Sequence, residues 1–315
     1  MKICRVTAPG LLTTVQDSGR FGFQQYGVPV SGAMDNFAFV ASNLLVGNRP
    51  NDACLEITLL GPVLGFLNQA QIAITGADLS PILNHEKVAG WQTFDVYNGD
   101  ELRFGQPRSG CRAYLSVKGG IDVPVLLSSR STCIRSLFGG YKGRPLKAGD
   151  VIEANQHPFS SEILARMMPH QLIPAYEAKP TIEVVLGPQS DFFTSKTRED
   201  FLSNTYTVTA DSDRMGYRLD GPELVSDQSL DMISDAIPVG AIQVPTDGKP
   251  IIMMRDAQTT GGYPKIAVVT TPDTSRLGQI RPGNRIQFSK ISLSKAQKKL
   301  QTYRHILKEM AKYLT

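Results

Sequence analysis

The chain has 315 residues, enough for two domains, and its 41% hydrophobic and 20% charged residues fit a globular protein with a sizeable core rather than a disordered one. Lysine and arginine number 33 against 29 acids, and a net charge of +4 without a clustered basic stripe gives no footing for nucleic acid. The four histidines (His85, His157, His170, His305) and four cysteines (Cys4, Cys54, Cys111, Cys133) show no metal-ligand or CxxC spacing, so no metal site is expected and the thiols are read as reduced.

From the N-terminus onward, KICRVT, QIAITG, FDVYNG, CRAYLSV, TIEVVL, TYTVTA, AIQVP, PIIMM, KIAVVTT and RIQF are short β-branched and aromatic runs separated by turn residues. That pattern predicts β-barrel or sandwich architecture rather than alternating βαβ units. Residues 34–46 place Met34, Phe37, Ala41, Leu44 and Leu45 near one helical face, and Gly47 stands where that helix would stop. A short helix is expected around 159–168, followed by a Pro-rich linker, LIPAYEAKP. Residues 292–314 carry an apolar stripe of Ala296, Leu300, Tyr303, Leu307, Met310 and Leu314 among lysines, a helix expected to pack on its own barrel or to meet a partner. The N-terminus lacks a signal-type apolar region, and the longest apolar stretches are too short to cross a bilayer, so a cytoplasmic protein without membrane attachment is expected.

An internal echo organises the whole. DSGRFGFQQYG (17–27) aligns without gaps to DSDRMGYRLDG (211–221), which predicts two halves related by duplication, 1–172 and 173–315.

No P-loop, nucleophile elbow, dinucleotide fingerprint or biotin-acceptor Met-Lys-Met is present, so chemistry must sit in polar residues held by glycine-rich turns. The segment 14–35 combines Gln16, Asp17, Arg20, Ser31 and Asp35; its arginine fork could clamp a carboxylate or phosphate. The structural alternative is an Asp17–Arg20 pair bracing a turn, with Asp35 easing the start of a helix. In DAQTTGGY, Asp256, Gln258, Thr259 and Thr260 precede Gly261, Gly262 and Tyr263, where close backbone approach could hold an oxyanion or simply form a capped bulge. Arg130 and Ser131 could bind an anion or order their loop, and GGYKGR (139–144) has the glycines and bases for an anion nest. Glu56 is a lone carboxylate in an apolar strand, either paired with a base or chemically active.

TTVQDSGRFGFQQYGVPVSGAMD, LEITLLGP, ITGADL, YLSVKGGIDVP, SRST, GGYKGR, SDRMGYRLDGP, GAIQVPTDGKPII and DAQTTGGYPKIA, in this order, resemble the family of the C subunit of ATP-dependent 5-oxoprolinase, also described as allophanate-hydrolase-subunit-2-like and related to biotin-dependent carboxyltransferases. The resemblance implies a mainly β fold of two cyclophilin-like β-barrels with a few helices. It implies a direct complex with a B subunit, and a third component, the A subunit. Together these would convert 5-oxo-L-proline to L-glutamate with ATP consumed, this chain being inactive alone and carrying no attached biotin. Asp17, Arg20, Arg214, Asp256 and Thr260 become the catalytic candidates, and Arg20 or Arg214 would grip carboxylate or phosphate. Relatives imply two alternatives: a regulator that antagonises a kinase inhibitor resembling the B subunit, and the carboxyltransferase part of a urea-type carboxylase. Where the family reads Gly and Asp, this chain has Ser128 and Cys133.

Overall fold

The structure is a computed structural model that describes residues 1–155, 165–226, 228 and 232–314. Among the described residues it is mainly β, with four α-helices. The ten β-rich phrases all fall on strands. Two helices, Ser195–Ser203 and Thr271–Leu277, escape a periodicity reading because both are short. Their starts are local: Thr194 Oγ1 accepts the Thr197 amide at 3.0 Å, and a proline stands in the first turn of the other. The short helix expected around 159–168 falls largely outside the described residues; Met167 forms an isolated bridge with Gln92.

The chain divides into two compact units. The first comprises 1–20, 31–175 and 306–315, and the second 21–30 and 176–305.

In the first unit, a six-stranded and a five-stranded sheet enclose one core. Ile3, Val6, Leu64 and Phe66 come from one sheet, and Val15, Leu55, Ile57, Ile72 and Leu115 from the other. The strand Cys54–Thr58 is buried at every position, because both of its faces are covered. Strand alternation sends Leu55 and Ile57 into the core and Glu56 to the opposite face. On that side lies the helix Asn36–Leu45, whose Ala38 carbonyl accepts from Thr75 Oγ1 at 2.6 Å and whose Ser42 hydroxyl meets Ser116 Oγ at 2.7 Å. Asp35 caps this helix, its Oδ1 accepting from the amides of Phe37 (3.0 Å) and Ala38 (3.1 Å). Gly47 follows with φ of 73° and its amide on the Leu44 carbonyl.

In the second unit, seven strands close a barrel. The strand Thr181–Leu186 seals it, antiparallel to Lys265–Val269 and parallel to Arg285–Lys290. Arg285–Lys290 alternates buried and outward residues, as a strand with one core face should. Phe201 of the helix Ser195–Ser203 stacks on Phe288 at 4.6 Å, with Tyr206 beside both. The C-terminal helix spans Leu293–Leu314, within one residue of the predicted bounds. Its Lys299 bonds Glu183 and Asp273 in the second unit at 2.6 and 2.9 Å.

All four cysteines are free and buried. Burial pushes the Cys4 thiol up to about 12 and raises Cys54 as well.

Candidate functional site

The predicted residues gather into two polar clusters, one in each unit. In the first, Asp17 lies where the strand Leu12–Gln16 ends. Its Oδ1 accepts from the Gly19 amide (2.8 Å) and from the hydroxyls of Ser129 (2.7 Å) and Ser131 (2.5 Å); Oδ2 accepts the Arg130 amide at 2.6 Å. One carboxylate thereby fixes three consecutive residues of the 129–131 loop. Hydrogen bonds to an ionised acceptor are the strong kind, so this loop is rigidly held.

Arg20 is fully buried. Its Nε donates to the Leu126 carbonyl (3.3 Å) and its Nη2 to the Ser131 carbonyl (2.5 Å), while the guanidinium carbon sits 4.7 Å from the Phe138 ring centre. Arg130 Nε reaches the Val123 carbonyl at 3.0 Å. Gln16 bridges the cluster to the sheet, donating to Thr14 Oγ1 and the Thr132 carbonyl and accepting the Gly32 amide. Ser31 is buried with φ of 55°, and its hydroxyl meets no hydrogen-bond partner among the described residues.

Glu56 pairs in register with Thr14 on one side and Tyr114 on the other. Its Oε2 accepts from the Met34 amide and the Tyr114 hydroxyl, both at 2.8 Å, and Oε1 lies 3.8 Å from Arg112 Nε. The Tyr114 hydroxyl also accepts the Asp35 amide at 2.8 Å. Burial, and then the Glu56 charge, push the Tyr114 phenol well above its ordinary range, so it stays a donor. The lone carboxylate is therefore paired with a base, and it seats the start of the helix.

In the second unit, Arg214 and Asp256 form a buried bidentate pair at 2.9 and 3.2 Å. Thr260 and Gly261 pair with Asp235 and Ala236 in a two-stranded ribbon. The carbonyls of Thr259 and Gly262 accept the amides of Ile237 and Met232. A Cβ at Gly261 would stand 2.7 Å from the Ile237 Cδ1, so a larger residue there would push that side-chain end aside. Gln258 and Tyr263 are exposed, and the Tyr263 carbonyl accepts from Gln243 Nε2 at 3.2 Å.

Several contributors are invisible to sequence reasoning. Lys265 is buried, donating to Asp235 (2.6 Å) and the Ala236 carbonyl (3.2 Å), and this bond holds the Asp235 carboxyl below its usual range. It stands inside the GGYPKIA phrase, where a lysine reads as surface. Ser129 and Tyr114 are likewise hidden, since only the fold brings them to Asp17 and Glu56. In the same loop as Ser129, Ser128 has φ of 60°, a left-handed conformation natural to glycine, the residue that the resemblance implies there, and Cys133 is wholly buried.

Residues 26–290 match the family described as carboxyltransferase domain, subdomain A and B. The 5-oxoprolinase C subunit of Haemophilus influenzae is 40% identical over 286 residues, covering 90% of each chain. That of Escherichia coli K12 is 36% identical over 308 residues, covering 98% of this chain and 97% of the relative. Among solved structures, the K. lactis urea amidolyase superposes with a TM-score of 0.93 at 36% identity; the match takes in 98% of this chain but 20% of that one. The mainly β architecture with its closed barrel is thus shared with a carboxyltransferase-related structure, and this chain belongs to the carboxyltransferase subdomain A and B family.

Proposed function

We propose that this chain is the C subunit of an ATP-dependent 5-oxoprolinase, working in the cytoplasm with the B and A subunits to open 5-oxo-L-proline to L-glutamate. The supporting observation is the run of identity to two proteins of that name across nearly their whole length, 90% and 97%.

The chemistry asks for activation of a lactam, a poor electrophile. Transfer of the γ-phosphoryl of ATP to the lactam oxygen gives ADP and a phosphorylated imidate. Water then adds to the carbon, and loss of phosphate with C–N cleavage yields glutamate. Charge builds on oxygen at each step, so the protein's contribution is positioned donors and cations. In this reading Arg214 with Asp256, and the Thr260–Gly262 turn, frame such donors in the second unit. Asp17 and Arg20 act as positioning residues that set the 126–131 loop. Alanine at Arg20 or at Arg214 is expected to lower kcat/KM of the assembled enzyme at least tenfold, about 1.4 kcal/mol of transition-state stabilisation. Thermal melts of each variant separate lost chemistry from lost folding.

The test is glutamate release from 5-oxo-L-proline and ATP, with this chain and the B and A subunits mixed and each omitted in turn. Release only in the full mixture supports the proposal; release without this chain overturns it. A second reading, carboxyl transfer, draws on the superposition with urea amidolyase. It predicts turnover only when a biotinylated partner is added.

A further inference from the structure

The first unit contains a cavity of about 540 Å³ between the loops 121–126 and 137–143. Its walls are apolar: Val123, Pro124 and Leu126 on one side, Leu137, Phe138 and Tyr141 on the other. A volume of this order suits a drug-sized molecule, and a five-membered lactam would fill only a small part of it.

The floor of one wall is the Gly-Gly-Tyr-Lys-Gly turn. Gly139, Gly140, Lys142 and Gly143 all have positive φ. A Cβ at Gly140 would stand 1.8 Å from Thr132 Oγ1, and one at Gly143 2.1 Å from the Leu137 carbonyl, so this backbone is wound as tightly as glycine permits. The amides of Gly143 and Arg144 donate to the carbonyls of Gly139 and Tyr141. Those of Gly140, Tyr141 and Lys142 donate to no other group among the described residues. Successive unpaired amides in a left-handed turn form a concavity for anions. The surrounding segment is basic: from 128 to 147 the chain carries Arg130, Arg135, Lys142, Arg144 and Lys147 and no acid, Arg144 being taken up by Asp150. The lining also includes Asp122 and Glu153, carboxylates of the kind that accept sugar hydroxyls.

An apolar slot, a glycine turn with a lysine, and carboxylates in the lining fit the three parts of a nucleotide. We propose that this cavity is a nucleotide site, taking the base between the apolar walls and phosphate at the Gly140–Lys142 amides with Lys142 as its cation. The proposal rests on the 5-oxoprolinase reading for the need of ATP, and on the cavity for the place. It also gives Arg20 a role. Bonded to the Leu126 carbonyl and stacked on Phe138, that side chain ties the two walls together from behind.

Calorimetric titration of the full chain, alone and with the B subunit, tests this with four probes: ADP, adenosine, inorganic phosphate and 5-oxo-L-proline. ADP is expected to saturate, with adenosine and phosphate each at least tenfold weaker. Lys142→Gln should weaken ADP at least tenfold and leave adenosine unchanged. Amide hydrogen exchange should slow at 121–126 and 137–143 on adding ADP. No saturation by ADP in either preparation overturns the site, as does ADP binding that ignores Lys142→Gln and leaves these loops unprotected. Protection of the same loops by 5-oxo-L-proline and not by ADP also overturns it. Because binding is read without turnover, a failed site leaves the 5-oxoprolinase reading standing. ADP binding here, with no glutamate release from 5-oxo-L-proline and ATP in the full mixture of A, B and C subunits, sinks that reading instead.

Discussion

The same letters are put to different use in the two units. Arg20 and Arg214 occupy equivalent places in the DSGRFG and DSDRMG echoes, and both are buried. In the second unit the arginine faces a carboxylate, Asp256, that arrives from a remote strand connection. In the first, its Nε and Nη2 go to backbone carbonyls, while the nearby carboxylate, Asp17, is given to hydroxyls and amides. In the second copy, Asp213 stands where the first has Gly19, and its Oδ1 accepts the amides of Met215 and Gly216. A motif can thus preserve the burial of a cation while the groups that satisfy it are reassigned. What carries over is the turn and the buried cation; the acceptors of Nε and Nη2 differ.

The largest effect is expected where the second unit depends on charge. Asp256→Ala leaves the Arg214 guanidinium buried without its carboxylate and should cost about 3–5 kcal/mol in urea unfolding. Pairing Arg214→Met with Asp256→Leu should recover most of that loss. Equal destabilisation by the single and double variants would show that the pair matters for more than its own charge. In the first unit, Asp17→Asn weakens several bonds to one ionised acceptor and should cost about 1.5–3 kcal/mol. An unchanged unfolding midpoint would mean the 129–131 loop holds without it.

Smaller still is the backbone effect at Ser128. Its left-handed φ costs a non-glycine residue about 1 kcal/mol, so Ser128→Gly should stabilise the chain by up to about 1 kcal/mol. A loss of stability there would mean that the serine side chain matters more than the backbone. The smallest difference is expected from pH. The hydrogen bond from Arg144 lowers the pKa of Asp150, and the one from Lys299 lowers that of Glu183. A folded pKa below the unfolded value means the stabilisation is complete above the ordinary carboxylate range, near pH 4, and fades as pH falls through the lowered values. Asp150→Asn should flatten the acid limb of the stability profile for the first unit's share, and Glu183→Gln for the second's; an unaltered limb in both would place acid sensitivity elsewhere.

Much of this is legible locally. The alternating phrases mark the strands, Asp35 and Gly47 bracket the first helix, and the stripe from Ala296 to Leu314 marks the last. The turn glycines are readable because tight turns demand them. The partners of the arginines are not, because they lie far along the chain: Ser131 and Leu126 for Arg20, Asp256 for Arg214. Lys265 is hidden for the opposite reason, since burying a lysine is costly and nothing local announces the Asp235 and Ala236 acceptors that compensate it. Short helices such as Thr271–Leu277 give periodicity too little length to register.

The four sequestered thiols have a practical consequence. A native chain whose cysteines are all buried, with Cys4 titrating only at about 12, offers maleimide dyes almost nothing to label. Leu137 stands 73% exposed on the rim of the first unit's cavity. A Leu137→Cys variant would therefore accept a single fluorophore without removal of any natural cysteine, turning that rim into an optical reporter of whatever enters.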